Sequence, residues 1–183
     1  MKKGFVILSV LMLATVIFAG CTAAPASNGG AGTAQTSGET FDAGNVNALV
    51  PEGWMAFTAS DLLDEYEGDT NPNSFSIYKG AQDEFDQLTK PGLQITYYDK
   101  DTTMMEPWKD LYEDTEDISP FTLGAYTWEG FTGKSSDYPI AVLWTEDGDE
   151  QFQVNIWLEN GGQKLTLEDA DVQAILTSIS PTK

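Results

Sequence analysis

Apolar residues occur along this chain in two arrangements: one unbroken run near the start, then short alternating runs separated by turn residues. The unbroken run, FVILSVLMLATVIFA from Phe5 to Ala19, follows Met1-Lys2-Lys3 and ends in small residues. It is shorter than the roughly 20 apolar residues of a membrane-spanning helix and has the layout of a secretory signal over 1–20. Residues 21–40 are rich in Gly, Ala, Ser and Thr. They cannot bury a core and read as a flexible tether. From 41 to 183 the alternation predicts one folded domain of ordinary size.

Within that domain, ALVPEGWMAF (48–57) predicts a strand, a Pro-Glu-Gly turn and a second strand. DLLDEYEGDTNPNS (61–74) predicts a helical turn running into a loop. SFSIYK (74–79) alternates, with Phe75 and Ile77 on one face, and GLQITYY (92–98) does the same with Leu93, Ile95 and Tyr97. GAQDEFDQL (80–88) is a short helix candidate. MMEPWKDLYED (104–114) is another, with Trp108, Leu111 and Tyr112 spaced as a helical stripe and Pro107 in its first turn. PFTLGAYTWEGFTGK (120–134) predicts a strand pair or one long bent strand. The clearest signal is 138–160, where two alternating runs flank Asp147-Gly148, a hairpin dipeptide. Phe152, Val154, Ile156 and Leu158 share one face there, opposite Gln151, Gln153 and Asn155, so the strand is buried on one side only. TLEDADVQAILTSIS (166–180) predicts a helix capped by Thr166 with Asp169, ending before Pro181. Its buried stripe is Val172, Ile175, Leu176 and Ile179.

A one-sided antiparallel sheet needs cover. The C-terminal helix and the 104–114 helix can supply it, so the predicted class is α+β, an antiparallel sheet flanked by helices.

Charge narrows the function. Nine lysines, no arginine and no histidine stand against 29 acids, a net charge of −20. The commonest general base and metal ligand is therefore missing, and so is the bidentate clamp for phosphate or carboxylate. Such an acidic chain is repelled by nucleic acid. With a single cysteine there is no intrachain disulfide and no thiolate zinc cluster.

That cysteine has a defined setting. Phe18-Ala19-Gly20-Cys21 resembles the lipobox of bacterial lipoproteins, although Phe18 stands where an aliphatic residue is usual. The resemblance implies acyl chains on Cys21, a membrane anchor that holds stably because it has more than one chain, and a location on the extracytoplasmic face. A plain signal peptide with a spare cysteine and an uncleaved anchor are the alternatives.

A second resemblance covers most of 41–183. Val50-Pro51-Glu52-Gly53-Trp54 after a strand, a late hairpin, and the closing segment Glu168 to Ile179 are together similar to the PsbP-like (PsbP/Mog-type) family. This implies an α/β/α sandwich and a binding or assembly role without catalysis. It carries over no catalytic residue.

Two constellations remain as candidate sites. Asp69, Asn71 and Asn73 match the first half of an EF-hand loop, but Ser74 replaces the turn glycine and Gly80 the bidentate glutamate. With Asp99 and Asp101 they could form only a weak, irregular calcium site. Solvated surface acids are the simpler reading. Trp128, Trp144 and Trp157 lie on predicted strands, and Trp157 falls opposite the apolar face, so these rings, Trp128 and Trp157 above all, are candidates for stacking on a glycan or gripping an envelope protein. Covered aromatics are the simpler reading here too. Nothing in the spacing of the acids selects a catalytic pair. The expectation is a non-enzymatic, lipid-anchored binding or assembly protein of the envelope, the alternative a calcium or glycan binder.

Overall fold

The computed structural model describes residues 36–60, 70–102, 104, 106–147 and 150–182. The chain forms β1 (Gly38–Asp42), β2 (Val46–Pro51), β3 (Trp54–Ser60), β4 (Thr70–Lys79), β5 (Gly92–Tyr98), β6 (Glu113–Leu123), β7 (Tyr126–Ser135), β8 (Tyr138–Asp147) and β9 (Glu150–Trp157). The short strands β10 (Glu159–Asn160) and β11 (Gln163–Lys164), the helix α1 (Ala170–Ser178) and β12 (Ser180–Pro181) follow. Seven strands make one sheet in the order β3-β4-β5-β9-β8-β7-β6, and β1-β2-β12 make a second, smaller one. All pairings in both are antiparallel.

The hairpins follow from local chemistry. Gly53 takes φ +82° in the Pro-Glu-Gly turn, a value open to glycine. Gly124, at φ +66°, opens the two-residue turn between Leu123 and Tyr126. Glycine at that first position suits a hairpin whose twist must match its strands.

Period-2 alternation then sorts the large sheet into two faces. Phe75, Ile77, Leu93, Ile95, Ala141, Leu143, Phe152, Val154, Ile156 and Trp128 point inward and are fully buried. The small sheet and α1 cover them: Val46, Ala48, Val172, Ile175 and Leu176 belong to the same cluster. Polar clamps hold this cover in place. The Trp54 indole Nε1 donates to Asp171 Oδ2 at 3.0 Å, and the Leu49 amide donates to Ser178 Oγ at 2.7 Å.

Several expectations need correction. The sheet is not helix-flanked on both sides. Among the described residues α1 is the one α-helix, and a three-stranded sheet shares its layer. What stands is the coarser class, a mostly antiparallel β protein with one helix. The 104–114 segment is not a helix. It holds one 3-10 turn at Lys109–Leu111, and Trp108 and Leu111 lie 68% and 73% exposed instead of forming a buried stripe. The 80–88 helix shrinks to a 3-10 turn at Glu84–Leu88. Residues 70–74 are not loop but the start of β4, while 61–69 lie outside the described residues. β2 and β3, adjacent across the Pro-Glu-Gly turn, belong to different sheets. α1 begins at Ala170. Asp169 does not cap it by side chain but accepts from Thr166 Oγ1 at 3.1 Å and from the Thr166 amide at 3.2 Å, closing the turn before the helix.

Candidate functional site

The outward positions of the large sheet carry the molecule's most informative chemistry. One row of neighbours crosses it as Met55, Tyr78, Gly92, Trp157 and Ile140. The next crosses as Phe57, Ser76, Gln94, Asn155 and Val142. A third holds Ser74, Thr96, Gln153 and Trp144. Half of this face is closed: Met104, Phe131, Ile140, Val142 and Trp144 form a second buried cluster, with Tyr98, Tyr112 and Trp157 packed on it. The strand β9 is thus partly covered on its outer side as well.

The other half is only partly covered, with Ser76 and Tyr78 buried and Phe57, Gln94 and Trp157 half-buried, and Gly92 organises it. Strand neighbours of a glycine have room above its Cα. Tyr78 and Trp157, on either side, meet across that gap with ring centroids 6.4 Å apart and an interplanar angle of 27°. A Cβ at Gly92 would fall 2.5 Å from Tyr78 Cδ1 and 2.5 Å from the Ile77 carbonyl oxygen. Phe57 meets Tyr78 edge-on at 6.1 Å. Burial pushes the Tyr78 phenol up, with a hydrogen bond donated by the Ser76 hydroxyl to its oxygen partly offsetting it.

Beside these rings lies a cleft of about 690 Å³, lined on the outer face by Phe57, Ser76, Tyr78, Gln94 and Trp157 and continuing past the edge strand β3 to Phe41, Ala56 and Thr58. Glu84 and Gln87 form part of its rim, on a 3-10 turn that is well pinned. Asp83 Oδ1 accepts from the Phe85 amide at 2.9 Å, Asp86 Oδ2 from the Gln82 amide at 2.8 Å, and Asn160 Nδ2 donates to the Leu88 carbonyl at 3.1 Å. The volume falls in the range of small-ligand sites. A larger cleft of about 900 Å³ runs between β1 and the β2–β3 turn and begins at Thr36, the first described residue.

The predicted site residues scatter. Trp157 lines the cleft, half-buried. Trp128 does not contribute to any surface: it is fully buried on the inner face, its Nε1 3.4 Å from the Leu123 carbonyl. Asn71 and Asn73 stand on β4, and their side-chain oxygens already accept, from the Asn73 amide at 2.9 Å and from Asn45 Nδ2 at 2.8 Å. Asp99 Oδ1 accepts from the Asp101 amide at 3.0 Å in a turn. Asp69 and Cys21 lie outside the described residues. Among the described residues, no group of three or more His, Cys, Asp or Glu could hold a metal ion. Sequence reasoning missed Tyr78, Gln94 and Gly92. The alternation that put Phe75, Ile77, Leu93 and Ile95 inward already placed Tyr78 and Gln94 on the opposite face, and a glycine opening a strand was the remaining signal.

No protein-family model matches the sequence, and no curated protein matches it. Solved structures are similar in fold. One is the crystal structure of a protein from Bacteroides thetaiotaomicron VPI-5482, with a TM-score of 0.46 at 12% identity, covering 80% of this chain. The chain spans about half of that protein, 49% of its length. Another is the solution structure of cyanobacterial PsbP (CyanoP) from Synechocystis sp. PCC 6803, with a TM-score of 0.43 at 11% identity, covering 86% of this chain and 98% of that one.

Proposed function

We propose that this chain is a lipid-anchored protein on the extracytoplasmic face of the cell membrane. It binds a ligand in the outer-face cleft and leaves it chemically unchanged. The anchor reading is supported by the apolar run and small residues before Cys21. A PsbP-like assignment of the domain is supported by Val50 to Trp54 and Glu168 to Ile179 in the sequence. The binding reading is carried by one observation: Trp157, half-buried and lying across Gly92 from the buried Tyr78 ring, lines a cleft beside Gln94 while the other half of the same face is closed. Large rings next to a few well-placed polar groups are what small-ligand sites are made of.

The test uses the full chain expressed in bacteria. The wild type is expected in the membrane fraction and Cys21→Ala in the soluble fraction; an unchanged distribution overturns the anchor. An extract of the cell envelope is then added to the purified wild type and to Trp157→Ala. A ligand at 100 times its dissociation constant adds about 2.7 kcal/mol, which is several degrees of melting temperature at this size. The extract should raise the melting temperature of the wild type only. A rise of equal size in both, or in neither, overturns binding at this cleft.

A further inference from the structure

We infer that the ligand of the outer-face cleft is a neutral saccharide, with one pyranose ring lying against Trp157. This rests on the binding reading above and names its ligand class. Three features of the cleft converge on it. The first is an apolar wall: Trp157 and Phe57 line the cleft half-buried, joined through the buried Tyr78 ring, which is near-parallel to Trp157 and edge-on to Phe57. Such a wall takes a ligand with a flat C–H face. The second is the polar lining beside it, the half-buried Gln94 with Gln87 and Glu84. These side chains give amide and carboxylate groups, which donate and accept. A wholly apolar ligand would take the water from those amides and return nothing, and unpaired polar groups are costly to bury. The third is charge. Among the described residues no lysine lines the cleft, Glu84 does, and the chain carries −20 overall. Phosphates, carboxylates and sulfates would meet repulsion without a cation to offset it. A ligand with an apolar face, an edge of hydroxyls and no charge is a neutral sugar.

Gly92 is the positioning residue of this arrangement. It touches no ligand, but its missing side chain allows the two rings to meet.

The experiment titrates the full chain, in detergent, with cellohexaose, maltohexaose and chitohexaose. Tryptophan fluorescence and calorimetry are the readouts. Saturable binding of at least one is expected. Trp157→Ala should weaken it at least about tenfold, the scale of losing one aromatic anchor. Gln94→Ala keeps the rings and should weaken the same sugar by a smaller factor, so the proposal does not depend on how well the tryptophan variant folds. Wild type that binds none of the three up to about 10 mM, about ten times a weak site's dissociation constant of 1 mM, overturns the inference. So does binding that neither variant weakens. If the sugars fail while envelope extract still stabilises the wild type through Trp157, the ligand class is wrong and the binding reading stands. If both fail, both fall.

Discussion

The two faces of the seven-stranded sheet are built from the same strands, residue by residue in alternation, yet they are finished differently. Inward, Phe75, Ile77, Leu93, Ile95, Val154 and Ile156 have no exposure at all, and a second layer seals them. Outward, the same strands present Ser76, Tyr78, Gln94, Asn155 and Trp157, sealed on one half and only partly covered on the other, where Gln94 and Trp157 are half-buried. The difference teaches that a strand can serve stability with one parity and recognition with the other. The inner face accepts only volume-matched apolar groups, whereas the less covered half of the outer face carries polar side chains such as Gln94 at half-burial.

Trp128→Ala should break the inner face most severely. Removing a fully buried indole leaves a cavity and should cost about 3–5 kcal/mol, seen as a lower midpoint in urea denaturation. Trp157→Ala, half in water already, should cost clearly less. Equal losses would mean that the two faces are not distinct. Gly124→Ala should come next. It forces a side chain into φ +66° and sets a Cβ 2.6 Å from the Thr177 carbonyl oxygen of α1. Left-handed strain alone costs about 1–3 kcal/mol, and a variant within error of wild type by thermal unfolding would show that α1 can move away from the β6–β7 turn.

A smaller effect of opposite sign is expected at the β7–β8 turn. Ser136 and Asp137 both have positive φ, 50° and 71°, between the paired residues Ser135 and Tyr138. This is the geometry that Asn-Gly prefers. The double change Ser136→Asn, Asp137→Gly should stabilise by about 0.5–1 kcal/mol, and should leave the outer-face cleft unaffected. The smallest effect belongs to the surface pair at the β6 edge, where Lys134 Nζ lies 2.5 Å from Asp114 Oδ2. The hydrogen bond from Lys134, and then its charge, hold the Asp114 carboxyl below its ordinary range, and Asp114 holds the Lys134 ammonium above its own. The carboxylate's share of stability is present above its unfolded pKa and is lost as pH falls through the lower folded value, below about pH 4. The lysine's share is full below its unfolded pKa and is lost as pH rises through the higher folded value, above about pH 10.5. Both groups are fully exposed and screened. Lys134→Met should therefore leave the melting temperature at neutral pH and physiological salt unchanged, and a measurable drop would give the β6 edge a structural weight not assigned to it.

Legibility in the sequence followed the range of the forces involved. The β8–β9 hairpin was readable because Asp147-Gly148 and the flanking alternation lie within a few residues of each other. Its core positions Phe152, Val154 and Ile156 are fully buried. The 104–114 helix was misread because Trp108, Leu111 and Tyr112 satisfy a helical spacing by chance. Tyr112 instead packs edge-on against Phe131, 5.1 Å away, as the chain enters β6. The acidic start of β6, Glu113 to Asp117, has no alternation to announce a strand. It lies at the sheet edge, and all five residues are exposed, so neither face selects apolar residues and charge guards the open edge.

The sequence alone determined which residues of β4, β5 and β9 turn inward, the Pro-Glu-Gly turn and the strongly negative charge, because these depend on side-chain chemistry and short-range periodicity. Only the tertiary structure decided that β2 and β3 part into different sheets, that Trp128 is core while Trp157 lines a cleft, and that Gly92 falls between Tyr78 and Trp157. Those outcomes depend on register between strands distant in the chain. A one-residue slip would exchange every inward and outward side chain, so it is the sealing of the inner face that brings Tyr78, Gly92 and Trp157 into one row.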